Sequence, residues 1–217
     1  MTRTTNAKFA GAAYLSYIAV GIANELLTSR AMSGGSTAAR LAQIAQHSTD
    51  LRVTVILKLC ECFSAFVLGV ALYGITRDQN HELAMLGMLC RVSEGIFIAS
   101  LIPNQLDLVW LAQQGGANRI EMAAFLMRPG SAIGAIFFAV GSALFTYLLL
   151  RGRLIPVWLS MWGLLSSIVL VISVPLQIAG LLTGSMANYL WLPAIVFAPV
   201  FALWLLTKGV RDTNRVH

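Results

Sequence analysis

The stretch that decides the fold runs from Lys58 to Glu94 and reads KLCECFSAFVLGVALYGITRDQNHELAMLGMLCRVSE. Two apolar segments are joined here by a short polar turn. Four charged residues lie inside the apolar segments: Lys58 and Glu61 in the first, Arg91 and Glu94 in the second. Ionisable side chains are costly inside a bilayer, and where they occur in a spanning helix they often mark a substrate or proton pathway.

The composition of the whole chain is that of a membrane protein. Of its 217 residues, 58% are hydrophobic and only 11% are charged, and the mean hydropathy is +0.76. Soluble domains carry about a quarter of charged residues. The net charge of +6 is scattered over loops and termini, which argues against a nucleic-acid partner and for the lipid bilayer. We expect one integral membrane domain over residues 1–217.

Six apolar segments are each long enough to cross a hydrocarbon core of about 30 Å. Their apolar runs are unbroken, whereas the strands of a membrane barrel would alternate polar and apolar residues. The sequence therefore predicts an all-α fold, a polytopic six-helix transmembrane bundle. The predicted spans are about 9–27, 51–75, 83–102, 131–150, 155–176 and 189–206.

The distribution of lysine and arginine predicts the orientation. The connections at 76–82 and 151–154 are short and contain Arg77, Arg151 and Arg153. Short loops rich in these residues stay on the cytoplasmic side. We therefore expect both termini in the cytoplasm and the longer loops outside.

Two of the outer loops are predicted to contain short helices. In the first, Leu41 and Ile44 recur at helical spacing within 37–47, which predicts an amphipathic helix on the outer surface. The second leaves two alternatives open. Either the third spanning helix kinks at Pro103 and continues past the membrane, or a separate helix begins near Asn104, a competent cap.

The four charges of the central stretch are predicted to form one cluster. Spacing of three residues places each cation beside its own glutamate on one helix face. Counting about 1.5 Å per residue places Lys58 level with Glu94 and Glu61 level with Arg91 on antiparallel neighbours, which predicts two cross-helix ion pairs. Glu25, near the outer end of the first helix, either joins them as a mouth residue or reaches the headgroups.

No motif for catalysis or for a cofactor is present. His47, His81 and His217 are predicted in loops or at the tail, which argues against haem bound between helices. Cys60 and Cys62 point about 200° apart on a helix, so they cannot share a metal. We expect no cofactor, no metal and no catalytic residue, and an enzyme is the weaker expectation.

The fourth spanning segment carries small residues at helical spacing. Gly130 and Gly134 form a G-x-x-x-G pair, and Gly141 extends the face. Such faces allow helices to approach closely. Packing within the chain and a homo-oligomer through this face are both open.

Four short motifs are spread along the chain: AGAAYL at 10–15, CRVSEG at 90–95, LIPVWL at 154–159 and ALWLLTKG at 202–209. In these motifs and in its layout the chain resembles a bacterial family of small six-helix integral membrane proteins known only as a domain of unknown function. The resemblance implies a bacterial cytoplasmic membrane and six helices, and it supplies no activity.

Three functions remain open from the sequence. The first is a small transporter or permease-like protein whose ligand, of unknown identity, binds between the second and third spanning helices. The second is an accessory or scaffolding membrane protein in which the charged cluster fixes the register of two helices. A membrane enzyme is the third. A polar cavity reaching Glu61 or Glu94 favours transport or catalysis, and a dry, fully paired cluster favours a scaffold.

Overall fold

A computed structural model describes residues 2–114, 118–127, 133–182 and 184–211. Within these ranges the chain is helical and contains no strand. The helices are α1 (Arg3–Ala31), α2 (Thr37–Gln46), α3 (Ser48–Thr76), α4 (His81–Ser100), α5 (Ile102–Gln113), α6 (Arg119–Leu126), α7 (Ile133–Arg151), α8 (Val157–Ile178), α9 (Ser185–Tyr189) and α10 (Leu192–Thr207).

Six apolar helical stretches of the described chain are long enough to cross a membrane. They are α1, α3, the stretch His81–Gln113, α7, α8 and the stretch Met186–Thr207. The prediction of a polytopic six-helix bundle is confirmed.

The six spanning helices form a closed ring. Neighbours around it are α1 and α3, α3 and α4, α4 and α7, α7 and α8, α8 and α10, and finally α10 and α1. We call the end with Arg3 and Thr207 the termini end, and the opposite end, which carries α2, α5, α6 and α9, the loop end.

The termini end is tightly packed and its turns are short. Asn80 caps α4 by accepting a hydrogen bond from the backbone N–H of Leu83 at 2.9 Å. Arg3 at the start of α1 forms a 2.8 Å salt bridge with Asp78 in the turn between α3 and α4. Large buried side chains fill the ring at this end, among them Ile75, Phe145, Leu149, Leu154, Leu159, Phe201 and Leu205.

Short helices cover the loop end. The amphipathic helix predicted at 37–47 is confirmed as α2, whose Leu41 and Ile44 are buried. They pack with Leu51 of α3, Leu108 of α5 and Ala123 of α6. These helices hold the loop-end parts of α1 and α3 in place.

The chain breaks between α4 and α5 at Leu101, two residues before Pro103. Pro103 lies in the first turn of α5, where its missing N–H costs no helical hydrogen bond. Asn104 lies inside α5 and is not its cap. Of the two alternatives for this region, the structure shows the third spanning helix bending and continuing as α5. Gln105 then fixes α5 to α3 by a hydrogen bond to the hydroxyl of Thr54.

Candidate functional site

Two glycines set the register between α3 and α4. A Cβ on Gly69 of α3 would lie 2.9 Å from the Cβ of Arg91. A Cβ on Gly95 of α4 would lie 3.0 Å from the backbone oxygen of Cys62. Both contacts are too close for any other residue type without a shift. Arg91 therefore lies at the same height along the bundle as Gly69, and Gly95 lies at the same height as Cys62.

This register corrects the predicted cross-helix ion pairs, Lys58 with Glu94 and Glu61 with Arg91, which are wrong. Gly69 follows Glu61 by eight residues, about 12 Å along the helix, so Arg91 lies far from the level of Glu61. The pair that forms is within α4: Nη1 of Arg91 lies 2.8 Å from Oε2 of Glu94. Counting residues from predicted helix ends could not detect the offset that the glycine contacts impose.

Arg91 is enclosed by aromatic rings. Its side chain is fully buried, with 1% of the residue exposed. The guanidinium carbon lies 5.0 Å from the ring centre of Phe138, 5.3 Å from that of Tyr17 and 5.8 Å from that of Tyr14. Ring faces attract cations at these distances. Its Nε and Nη2 atoms have no hydrogen-bond partner among the described residues, so Glu94 and the rings hold the charge.

Glu94 connects this cation to α1. Its Oε1 accepts a 2.5 Å hydrogen bond from the hydroxyl of Tyr17, while its Oε2 faces Arg91. Only 2% of Glu94 is exposed. Tyr14, Tyr17, Arg91, Glu94 and Phe138 thus form a layer across the middle of the ring, which we call the central layer.

A cavity of about 680 Å³ lies on the loop-end side of the central layer. Its wall comes from the loop-end parts of α1, α3, α4, α7 and α10. Ile22, Leu101 and Ile195 line it and are also exposed. All three lie in the spanning stretches, so the cavity reaches the protein surface beside these residues. Further lining residues are Tyr14, Tyr17, Gly21, Glu61, Glu94, Phe97, Gly134, Ala135, Phe138, Trp191, Ala194 and Ala198.

Glu61 projects into this cavity from α3. Gly21 of α1 makes room for it, since a Cβ there would lie 3.3 Å from Oε1 of Glu61. Glu61 has no ion pair within 4.0 Å and no hydrogen bond among the described residues. The charges that act on it most strongly are those of Lys58 and Glu94.

The five predicted site residues therefore divide into three positions. Glu61 and Glu94 share the cavity wall, and Arg91 lies beneath that wall in the central layer. Lys58 and Glu25 are outside the lining; Lys58 interacts electrostatically with Glu61 and less strongly with Glu25, and Glu25 is exposed near the end of α1.

A second, much smaller void lies on the other side of Arg91. Its volume is about 20 Å³, close to the space for one water molecule. Ser142 and Thr146 of α7 line it together with Arg91 and Tyr14. Tyr14 lines both the void and the large cavity, so the central layer is only about one side chain thick at this point.

Sequence reasoning missed the aromatic part of the site. Tyr14, Tyr17, Phe138 and Trp191 line the cavity, and none of them was among the predicted site residues. One signal was available: Tyr14 and Tyr17 are three residues apart, which places two hydroxyl-bearing rings on one face of an apolar helix. Phe138 and Trp191 carry no comparable signal.

The glycines of α7 pack inside the chain. A Cβ on Gly134 would lie 3.3 Å from the Cβ of Phe97, and one on Gly141 would lie 3.1 Å from the Cβ of Cys90, both on α4. Gly130 lies outside the described residues. Close packing of α7 on α4 accounts for Gly134 and Gly141, and a homo-oligomer through this face stays a prediction.

The described ranges contain no group of three or more His, Cys, Asp or Glu side chains that could hold a metal ion. Cys60, Cys62 and Cys90 are free thiols. The chemistry of the site therefore rests on carboxylates, one guanidinium, hydroxyls and aromatic rings.

Fold and site together define a polytopic membrane protein with a ring of six spanning helices, five of which line a cavity. The chain belongs to the family described as Domain of unknown function (DUF4386), whose model matches residues 9–209. The expected family resemblance is confirmed. Searches of curated proteins and of solved structures find no match.

Proposed function

We propose that this protein is a small permease-like transporter of a bacterial cytoplasmic membrane. The observation that carries the proposal is the cavity, which lies on the loop-end side of the central layer and has Glu61 and Glu94 in its wall. Its volume of about 680 Å³ lies within the range typical of small-molecule sites. Ionisable residues facing such a cavity are typical of substrate pathways.

The proposed orientation has both termini in the cytoplasm and the cavity open to the outside. Basic residues at the termini end support it: Arg77, Arg151, Arg153, Lys208 and Arg211 are exposed there. Cytoplasmic loops of membrane proteins carry an excess of such residues. A solute would therefore enter the cavity from the outer side.

The central layer is the proposed barrier. Below it, Leu68, Leu72, Phe145 and Phe201 are packed with little exposed surface. Transport requires this half to open while the outer half closes, as in alternating access. The hydrogen bond between Tyr17 and Glu94 joins α1 to α4, so a ligand that competes for Glu94 would loosen these two helices from each other.

A scaffold is less well supported. A charged cluster that fixes helix register should tie two helices together. The ion pair of Arg91 and Glu94 lies within α4. The cluster is tied to another helix by the hydrogen bond from Tyr17 of α1 to Glu94, and the close contacts between α3 and α4 come from Gly69 and Gly95. Glu61 has no ion pair within 4.0 Å in the described ranges of the chain.

Thiol labelling from each side of the membrane tests the proposal. The three native cysteines are replaced, and single cysteines are introduced as Ala135→Cys in the cavity wall and Ser142→Cys in the small void. An impermeant maleimide is applied to right-side-out and to inverted vesicles. Arg151→Cys, exposed at the termini end, reports the cytoplasmic side.

A transporter should label at Ala135→Cys from the outside and at Ser142→Cys from the cytoplasmic side, because the inner half opens in part of the cycle. Labelling of Ala135→Cys alone would contradict transport and leave a static binding site. If Ala135→Cys is labelled from neither side, both transport and a static binding site in the cavity are contradicted.

A further inference from the structure

We propose that the ligand of this cavity is a lipophilic monovalent cation, such as an amine or quaternary ammonium ion with an aromatic or alkyl body. The proposal rests on the proposed function and names its substrate class. It is carried by one juxtaposition: the carboxylate of Glu61, which has no ion pair among the residues that the structure describes, and the rings of Phe97, Phe138 and Trp191 line the same cavity.

The charge balance favours a cation. Of the two carboxylates that line the cavity, Glu94 faces Arg91 at 2.8 Å. Glu61 has no ion pair within 4.0 Å among the described residues, and Lys58, the cation with the largest electrostatic effect on it, lies outside the lining. A carboxylate without an ion pair is costly in an apolar surrounding. A monovalent cation beside Glu61 would balance it.

The aromatic lining supports the same class. Trp191 stacks on Phe138 with ring centres 6.2 Å apart, and Phe97 stacks on Phe137 at 5.4 Å. Stacking holds these rings in place, so they lose little freedom when a ligand binds. Faces of aromatic rings recognise amines and quaternary ammonium groups. On the underside of the layer, Phe138 already contacts the guanidinium of Arg91 in this way.

The described part of the chain gives an anion no comparable site. Arg91 is buried beneath Tyr14, Tyr17 and Phe138 and does not line the cavity. Lys58 is also outside the lining. Sugars and other strongly hydrated molecules would lose hydrogen bonds to water that this mostly apolar wall does not replace. The body of the ligand should therefore be apolar.

Binding of tetraphenylphosphonium tests the substrate class, because this probe is lipophilic and permanently charged. The purified full chain in lipid nanodiscs is dialysed against the radiolabelled ion. Tetraphenylborate, which has the same shape and the opposite charge, is the competitor. We expect saturable binding of the cation and no competition by the anion beyond its partitioning into empty nanodiscs.

Variants assign the charge to Glu61. Glu61→Gln should weaken binding by about ten-fold or more, the loss expected for a charge-assisted contact, and Glu61→Asp should recover part of it. Glu82→Gln is the matched control, because Glu82 is an exposed carboxylate at the termini end of the bundle and its loss should leave binding unchanged. Size-exclusion profiles and melting temperatures confirm that the variants are folded.

Three results would overturn the substrate class: no saturable binding of the cation, equal binding by Glu61→Gln, or equally tight binding of tetraphenylborate to the cavity. The labelling of Ala135→Cys and Ser142→Cys distinguishes this failure from failure of the proposed function. If both cysteines label as expected and the cation does not bind, transport stands and the substrate class is wrong.

Discussion

The two ends of the helical ring differ in how completely side chains fill the space along its axis. At the termini end, large residues such as Phe145, Leu149 and Leu159 fill it almost completely. At the loop end, small residues such as Gly134, Ala135 and Ala194 face it and leave a cavity. Helix packing alone does not decide whether a ring encloses a core or a site. The sizes of the residues facing the axis decide it.

The central layer separates the two ends and holds the only ion pair found between side chains within the described spanning helices, Arg91 with Glu94. It has packing on one side and open space on the other. Each prediction below changes one side of this boundary or the boundary itself.

The largest effect is expected for Arg91→Met. Removal of the Arg91 guanidinium leaves the buried carboxylate of Glu94 without a cation, and breaking a buried ion pair in this way costs about 3–5 kcal/mol. The free energy of unfolding in detergent should fall by that amount. In the double variant Arg91→Met with Glu94→Gln much of the loss should be recovered, because no unpaired charge remains. A single-variant loss below about 1 kcal/mol would show that the central layer is hydrated.

The next prediction concerns Ala135 and Ala139, which lie one helical turn apart on α7. Ala139 is fully buried among Leu170, Val174 and Ala194, so Ala139→Phe should destabilise the protein by about 1–3 kcal/mol through overpacking. Ala135 lines the cavity, so Ala135→Phe has room and should cost less than about 1 kcal/mol. Thermal unfolding of both variants measures the difference. Equal losses would contradict the presence of open space at the loop end.

The close approach of α3 and α4 gives a third prediction. In Gly95→Ala the new Cβ would lie 2.7 Å from the ring of Phe66 and 3.0 Å from the backbone oxygen of Cys62. Separating the helices should cost about 1–3 kcal/mol. Gly35→Ala is the control, since a Cβ there meets nothing within 4 Å and the melting temperature should not change. An unchanged melting temperature in Gly95→Ala would show that Gly95 does not set the register between α3 and α4.

The smallest effect is expected for Tyr17→Phe. It removes the hydrogen bond from Tyr17 to Glu94 and keeps the ring that faces Arg91, so the loss should be about 1 kcal/mol. Tyr73→Phe, which removes an exposed 3.3 Å contact to His81, should leave stability unchanged. If the two variants have the same stability, the hydrogen bond between Tyr17 and Glu94 does not stabilise the protein.

Much of the fold could be predicted from the sequence because hydropathy is a local property. Uninterrupted apolar runs indicated the six spanning helices, and the spacing of Leu41 and Ile44 indicated α2. The bend before α5 was one of two stated alternatives, and the residue at which it falls, Leu101, depends on packing against α2 and α3.

The site was only partly predictable. Ionisable residues in apolar segments correctly drew attention to Glu61, Arg91 and Glu94, because such residues are rare there. Their partners were predicted wrongly, since the offset between α3 and α4 depends on where Gly69 and Gly95 contact the neighbouring helix. A ligand site between the second and third spanning helices and a polar cavity were predicted, whereas the cavity is lined by five helices and its wall is mostly apolar. This arrangement could not be foreseen, because its small residues lie on α1, α7 and α10, which are distant in the sequence.

The central claim is that a cavity accessible from outside lies on the loop-end side of the central layer. The most direct test compares the labelling of Ala135→Cys and Ala139→Cys in a protein without its native cysteines. An impermeant maleimide is added outside intact cells. The two cysteines differ by one helical turn on α7, and only the first faces the cavity. The account predicts rapid labelling of Ala135→Cys and none of Ala139→Cys until the protein is unfolded. Equal protection of both cysteines would contradict an open cavity at the loop end.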